Sequence, residues 1–396
     1  MCFPDLKVFL VLILCSAVCA INREFECHVV QDESGSTKEV EVVHIAAKGP
    51  NDTIHYLWST FKLPSVITAR ASIDSELTIN ATKLKAFDKD AITFSEGPFE
   101  AIGISISKIW ELNYINDSNL VTQPNFTTPV DLDLFEWMNM SSSLDCGKHF
   151  ASAYSKADYG DDIFSEHGAI KIQFNASGQE EASTEFPHLI FNGKSTLLKV
   201  DLDHLHTDQS KTRFGLEIRF FSVPCSNCTW QQSTIFSVND ENSPGVFSDI
   251  SLSSSCPGSK TNSFVAWRPV AYVGEVKNIA NSSDALMVGQ HEINATMTPH
   301  SIAELYFEGK SKTSAFNIYF GTVGDGYYGK AKFISWSFMV GAGSAVEVKS
   351  STVVFIVMAV GLGALLLFFV GGGAFLGCKF WCKKDDDLLL SEDSIN

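Results

Sequence analysis

The feature that most constrains this chain is the stretch from Val353 to Gly377, which carries no charged residue and is rich in Leu, Val, Phe and Gly. A bilayer core about 30 Å thick is crossed by a helix of roughly 20 such residues. The stretch therefore predicts one transmembrane helix over residues 351–377. Glu347 and Lys349 precede it, and Lys379, Lys383 and Lys384 follow it. Lysines immediately after a span mark its cytosolic side, so residues 378–396 are expected in the cytosol. The other end agrees. Lys7, the apolar run Val8 to Leu14 and the small residues through Val18 and Ala20 have the three-part layout of a secretory signal, with cleavage after Ala20. That run is too short to span a bilayer. The expected organisation is a signal peptide at 1–20, a lumenal region at 21–350, a transmembrane helix at 351–377 and a cytosolic tail at 378–396. Such a chain is a single-pass type I membrane protein with a lumenal N-terminus.

Within the span, Gly361, Gly363 and Gly371 to Gly373 leave shallow surfaces, and Gly373 and Gly377 have GxxxG spacing. Small residues let a second helix approach closely, although glycine is also common in membrane helices that have no partner.

The lumenal region is long enough for one large or two ordinary domains, and the chain is 45% hydrophobic, which suits a packed core. The formal charge of −17 argues against nucleic acid or anionic lipid as a partner, since both require concentrated Lys and Arg. Sequons for N-glycosylation fall at Asn51, Asn80, Asn116, Asn125, Asn139, Asn175, Asn227, Asn281 and Asn294, all before the membrane segment. In a chain routed to the lumen they predict a dense glycan coat on exposed asparagines. Five cysteines, Cys27, Cys146, Cys225, Cys228 and Cys256, lie in the oxidising compartment and are disulfide candidates. Cys378 and Cys382, at the cytosolic membrane edge, suit palmitoylation.

Short segments rich in β-branched and aromatic residues read as strands: 39–46, 53–60, 101–107, 169–174, 214–223, 263–273 and 314–321. Outside the two ends no long window shows a helical apolar period. The expected fold is an all-β lumenal ectodomain of antiparallel sandwich or prism-like sheets, plus one C-terminal transmembrane helix. No internal repeat is visible, and no linker clearly divides the region into two subdomains. The loop-like stretch around residues 178–183 is the weak boundary candidate.

The sequence carries few signatures of catalytic chemistry. G-x-S-x-G and H-E-x-x-H are both missing from the sequence. Gly324, Gly326 and Gly329 match G-x-G-x-x-G, but residues 330–338 read as a strand, so a glycine-rich hairpin turn is expected rather than a phosphate cradle. Asp201, Asp203, His204, His206 and Asp208 form the best metal candidate. Strand alternation would put His204, His206 and Asp208 on one face and the other two on the opposite face, which favours a polar strand-to-loop segment and no metal. Cys225 and Cys228 have the spacing of a thiol redox motif, yet they follow Pro224 and a β-rich segment, and Asn227 would carry a glycan between the sulfurs. Structural disulfides to partners such as Cys146 or Cys256 are the favoured reading. Asp161-Asp162 and Glu180-Glu181 supply carboxylates without showing that any two converge.

The tail is more specific. Asp385 lies four residues before the Leu389-Leu390 pair, the acidic dileucine form. Exposed leucines on so short a tail call for another protein to bury them, and clathrin adaptor complexes of endolysosomal sorting are the natural reader. The alternative is that these leucines lie back on the membrane surface.

The whole mature chain resembles the glycosylated lysosomal membrane protein family. The resemblance rests on Ile54-His55-Tyr56-Leu57-Trp58-Ser59, Phe214-Gly215-Leu216-Glu217-Ile218, and the run from Asp240-Glu241 through Pro244 to Val246-Phe247. It continues in Ala266-Trp267-Arg268-Pro269-Val270-Ala271-Tyr272, Ala315-Phe316-Asn317 with Phe320-Gly321, and Ser335-Trp336-Ser337. Ser394-Ile395-Asn396 also matches, but related proteins place a tyrosine just upstream where this chain has Glu392. The resemblance implies a lysosomal membrane protein that has no cofactor or catalytic residue. It further implies an accessory subunit of a lysosomal major facilitator superfamily transporter of dipeptides, one that protects and places the transporter. The alternatives are a lysosomal coat protein, or a lumenal thiol oxidoreductase or hydrolase. Trp267, Arg268 and Tyr272 could form an interface hot spot, but core packing explains the string better.

Overall fold

The computed structural model describes residues 23–32, 40–112, 129–156, 164–176, 178, 181–182, 190–206, 212–223, 229–239, 245–255, 263–274, 276–293, 300–311, 313–322, 327–345 and 352–389. Its centre is a sandwich of two antiparallel sheets. The first runs from edge to edge as β1 (Glu24–Gln31), β2 (Glu41–Lys48), β3 (Asp52–Ser59), β4 (Ser65–Ser72), β7 (Glu100–Leu112), β14 (Arg213–Val223), β20 (Thr313–Phe320) and β19 (Ser282–Ile293). A short β8 (Val130–Asp131) pairs with the far end of β7. The second sheet runs β9 (Phe150–Lys156), β10 (Phe164–Ala176), β13 (Ser195–Leu205), β21 (Phe333–Ala342), β17 (Ser263–Trp267), β16 (Gly245–Ser255) and β15 (Thr229–Asn239). β18 (Val270–Tyr272) pairs with both β19 and β21 and joins the sheets along one side. Two small hairpins stand apart, β5 (Leu77–Ile79) with β6 (Ile92–Phe94), and β11 (Glu181–Ala182) with β12 (Ile190–Phe191).

Alternation along the strands builds the main core. Val43, Ile45 and Ala47 of β2, with Tyr56 and Trp58 of β3, face Ile170, Ile172 and Phe174 of β10 and Val200 and Leu202 of β13. Trp58 stacks on Phe174 at 5.7 Å, Trp267 on Phe316 at 5.3 Å, and Phe320 meets Trp336 at 5.8 Å, so large aromatic rings bridge the two sheets. Trp58 also donates its indole N–H to Thr196 Oγ1 at 3.4 Å.

A second layer covers the outer face of the first sheet. It contains the β5–β6 hairpin, α1 (Ala81–Lys85) and α2 (Ile302–Phe307), which bury Leu84, Ile92, Ile302, Leu305 and Phe307 against Val42, Leu57, Ile67 and Phe221. These helices span five and six residues, too short to leave a period in the sequence. Each is set by its cap. Asn80 Oδ1 accepts from the Lys83 N–H at 2.9 Å, and Ser301 Oγ accepts from the Glu304 N–H at 3.1 Å.

The all-β expectation holds, with local corrections. The expected strand over residues 263–273 is two strands, because Arg268 and Pro269 interrupt the ladder between β17 and β18. The glycine-rich segment leads into a one-turn helix, α3 (Tyr327–Ala331), and not directly into a strand. Burial of Tyr328, whose ring meets Phe214 edge-on at 4.5 Å, fixes that turn, and β21 starts only at Phe333. Gly324 and Gly326 lie outside the described residues. Gly215 is required by packing: a Cβ there would lie 2.2 Å from the Tyr319 ring and 2.8 Å from the Ile318 carbonyl.

The C-terminal helix, α4 (Thr352–Leu389), contains the apolar span Val357–Lys379. It does not stop at Gly377. It runs on through the lysines and aspartates to Leu389, about 57 Å in all at 1.5 Å per residue. No proline or glycine follows Gly377 to end it, so the first half of the expected tail is helical.

Candidate functional site

Of the sequon asparagines, Asn51, Asn80, Asn139, Asn175 and Asn281 lie among the described residues, and none is buried. Asn51 sits in the turn between β2 and β3, and Asn80 caps α1 through its carbonyl oxygen, leaving its amide nitrogen outward. Asn175 lies on the outward side of β10 beside Lys171 and Gln173, opposite the buried Ile172 and Phe174. Asn281 donates from Nδ2 to the Val276 carbonyl at 3.1 Å, a bond that leaves its second amide hydrogen for substitution. Asn116, Asn125, Asn227 and Asn294 lie outside the described residues.

Cys27 and Cys146 form a disulfide whose Cα atoms are 5.9 Å apart. It ties the edge strand β1 to the segment leading into β9. The pairing corrects one expectation: Cys146 is not a partner for Cys225 or Cys228. Those two and Cys256 lie outside the described residues.

The metal candidate does not assemble as a strand face. His204 adopts a left-handed conformation (φ 48°) at the end of β13, which breaks the alternation. Its Nδ1 lies 2.6 Å from its neighbour's carboxylate oxygen, Asp203 Oδ1. Asp201 is buried and its carboxylate sits 3.4 Å from Lys199 Nζ. His206 is exposed beyond the strand, and Asp208 lies outside the described residues. Among the described residues no cluster of His, Cys, Asp and Glu has metal-binding geometry. Asp161, Asp162 and Glu180 also lie outside them, while Glu181 begins β11.

Trp267 is buried in the main core and Ala271 with it. Arg268 is buried too, with Nε 3.0 Å from Asp249 Oδ1. Trp267, Arg268 and Ala271 therefore serve packing, while Pro269, Val270 and Tyr272 are half-exposed.

Two polar clusters escaped the sequence reading because their members come from distant positions. In the first, Arg219 on β14 binds Glu217 Oε1 through Nε at 3.2 Å and Glu304 Oε1 through Nη1 at 3.1 Å. Ser107 Oγ donates to Glu217 at 2.7 Å, Ser105 Oγ to Glu304 at 3.2 Å, and the His300 N–H to Glu304 at 2.6 Å. Burial pulls the Arg219 guanidinium down, but the charges and hydrogen bonds of Glu304 and Glu217 outweigh it and hold it above its ordinary value. The network clips α2 to the sheet. The spacing Ser301-x-x-Glu304 is the one fragment legible in the sequence, as a capping signal.

The second cluster is a histidine pair. His44 Nε2 and His55 Nδ1 are 3.0 Å apart on β2 and β3, under the edge of the Phe94 ring. Burial, with His55 adding to it, pushes His44 down to about 3; burial, with Lys48 adding to it, pushes His55 down to about 4. Both rings are neutral in the folded chain, while unfolded histidines take up protons below about pH 6.5. Stability is therefore fully present above pH 6.5 and is lost as pH falls toward 4 and then 3. Each ring contributes a slope of up to about 1.4 kcal/mol per pH unit in that window. Denaturation of the full chain at pH 7 and pH 5 is expected to show the drop, and the double variant His44→Gln, His55→Gln to flatten it. Equal slopes in both proteins would remove the pair from the account.

The membrane helix leaves almost every described side chain from Val357 to Lys379 exposed. A Cβ added at Gly361, Gly363, Gly371, Gly372, Gly373 or Gly377 would meet nothing within 4 Å. Cys378 is exposed with a free thiol. Asp385 and Leu389 fall in the last turns of α4, and Leu390 lies outside the described residues.

Comparison with known proteins decides the family, since the model of the glycosylated lysosomal membrane protein family matches residues 41–382, from β2 through the membrane span. The chain belongs to the glycosylated lysosomal membrane protein family. The mouse (Mus musculus) glycosylated lysosomal membrane protein is 28% identical over 95% of this chain and 93% of its own length. Glycosylated lysosomal membrane protein B of Xenopus laevis is 25% identical over 94% of this chain and 95% of its own. The human (Homo sapiens) protein is 27% identical over 90% and 87%. These names describe a glycoprotein of the lysosomal membrane and name no reaction. Membership in this family agrees with the long apolar helix near the C-terminus, the one candidate span among the described residues.

Proposed function

We propose that this chain is a noncatalytic accessory subunit of a lysosomal major facilitator superfamily transporter, of the class that carries dipeptides. It stabilises the transporter, shields it from lysosomal proteases and supports its place in the lysosomal membrane. The observation that carries this reading is the contrast between the two parts of the chain. The sandwich packs its apolar residues into its own core, whereas the uncharged membrane helix carries six glycines, with Gly373 and Gly377 in GxxxG spacing, that let a second helix approach closely. A lone helix of that kind suits lateral packing against a multispan partner.

The chain enters the membrane once with its N-terminal region lumenal. Lysines after the span and a disulfide suited to an oxidising compartment support that orientation. Glycans on the exposed asparagines then form a protease-resistant cover over the partner's lumenal loops. Asp385, Leu389 and Leu390 engage clathrin adaptor complexes and direct the pair to lysosomes.

The test is transporter lifetime in cells. Deleting the chain, or replacing Gly373 and Gly377 by Leu, is expected to shorten the half-life of one lysosomal transporter severalfold, with restoration by lysosomal protease inhibitors. Unchanged lifetimes for every such transporter would contradict the proposal.

A further inference from the structure

Between the β5–β6 hairpin and the C-terminal end of α2 the outer layer leaves a cavity of about 510 Å³. Its walls follow from two turns. After α2, Gly309 takes a left-handed conformation (φ 69°) that other residues rarely adopt, and the Lys310 N–H donates to the Phe307 carbonyl at 2.9 Å. That reversal carries Lys310 back over the helix, where its Nζ sits 4.0 Å from the centre of the Tyr306 ring. On the hairpin, the Asp90 N–H donates to Asp88 Oδ1 and the Ala91 N–H to the Asp88 carbonyl, both at 2.9 Å. This turn brings Asp90 to the cavity and leads into Ile92 and Phe94. Phe94 meets the Tyr306 ring edge-on at 6.0 Å, and with Ile92 and Leu305 it supplies the apolar lining.

Two polar groups of this cavity lack the partners that buried groups ordinarily have. Tyr306 is 4% exposed, and burial alone pushes its hydroxyl up to about 12, with no hydrogen bond or neighbouring charge contributing. A tyrosine buried to this degree usually finds a partner for its hydroxyl, and among the described residues this one has none. Burial pulls the Lys310 ammonium down, and Asp90 opposes this through its charge alone, without a hydrogen bond. Among the described residues the close partner of Lys310 Nζ is the Tyr306 ring face and not a carboxylate. Mostly apolar cavities of this size with a few placed polar groups are the usual form of a small-molecule site.

We propose that this cavity binds a small amphipathic monocarboxylate, its apolar body against Ile92, Phe94 and Leu305 and its carboxylate accepting from the Tyr306 hydroxyl and the Lys310 ammonium. Both groups are donors, and hydrogen bonds from them to an ionised acceptor are the strong kind. With Nζ over the ring face, one carboxylate can bridge the two. The surrounding charge selects a single negative group. Lys89 adds a second ammonium to the wall, while Asp90 and Glu308, both exposed, line the same cavity. Two acids beside two lysines tolerate one carboxylate and oppose a phosphate monoester, which carries nearly twice the charge at neutral pH. The site is separate from the membrane helix and needs no transporter.

The experiment uses the full-length chain in lipid nanodiscs at pH 7, with binding read by ligand-observed NMR titration and empty nanodiscs as the blank. The probes are 3-phenylpropionate and octanoate, their neutral primary amides, and 2-phenylethyl phosphate. At least one carboxylate is expected to bind saturably, and its amide and the phosphate about tenfold more weakly. Tyr306→Phe removes only the hydroxyl, so it is expected to weaken the carboxylate about tenfold and to leave the unfolding curve near parental. Lys310→Gln should weaken it by a similar factor. The proposal is overturned if neither carboxylate binds saturably, if the amides or the phosphate bind as tightly, or if either variant keeps the parental affinity. A lowered unfolding curve for Tyr306→Phe would show that the protein itself engages the hydroxyl, and would overturn it too.

Discussion

Replacing Cys27 and Cys146 together by Ser is expected to lower the unfolding free energy by about 4 kcal/mol, because the bridge closes a loop of 119 residues and the denatured chain recovers that freedom. The double variant is chosen so that no orphan thiol is left to pair with Cys225, Cys228 or Cys256. The loss falls on a particular place. Among the described strands β1 has only β2 beside it, and all of its side chains are half-exposed or exposed, so packing alone holds it weakly. Without the bridge, β1 and the segment leading into β9 should detach first and become the earliest sites of proteolysis. A fall of less than 1 kcal/mol, with cleavage elsewhere, would mean that packing and the Arg23–Asp52 pair at 2.8 Å suffice to hold this edge.

Arg219→Ala is expected to cost about 3 kcal/mol at neutral pH, since it strips the shared counter-charge from the buried Glu217 and the partly buried Glu304. Arg219→Met, which keeps the apolar volume, should lose nearly as much as Arg219→Ala, because both orphan the same charges. Denaturation curves of parent and variants measure it directly. A much smaller loss in Arg219→Met would indicate lost packing and not orphaned charge. Because Glu304 sits on α2, the outer layer over Phe221 and Ile67 is expected to loosen with it.

The sequence disclosed the parts of this molecule whose signal is local. Strands β2, β3, β7, β14 and β20 were readable from β-branched and aromatic runs, and the apolar span announced α4 by length alone. Legibility failed where structure depends on contacts between distant residues. β4 and β13 mix polar with apolar residues because Thr68 and Thr196 are buried and hydrogen-bonded to each other across the sandwich at 3.3 Å. α1 and α2 are single turns held by caps and by the sheet beneath them. The Arg219 and His44–His55 clusters join β14 to α2 and β2 to β3, and no spacing rule connects those positions. Three of the resemblance strings place a tryptophan in the core, since Trp58, Trp267 and Trp336 are all fully buried. They mark the fold, while the proposed functional surfaces lie in the glycine-bearing membrane helix and the exposed asparagines.

The most direct measurement is affinity purification of the full-length chain from lysosomal membranes in mild detergent, followed by mass spectrometry of whatever is present in stoichiometric amount. The account predicts one multispan transporter of the major facilitator superfamily, lost from the eluate when Gly373 and Gly377 are replaced by Leu. Recovery of the chain with no transporter beside it would contradict that account.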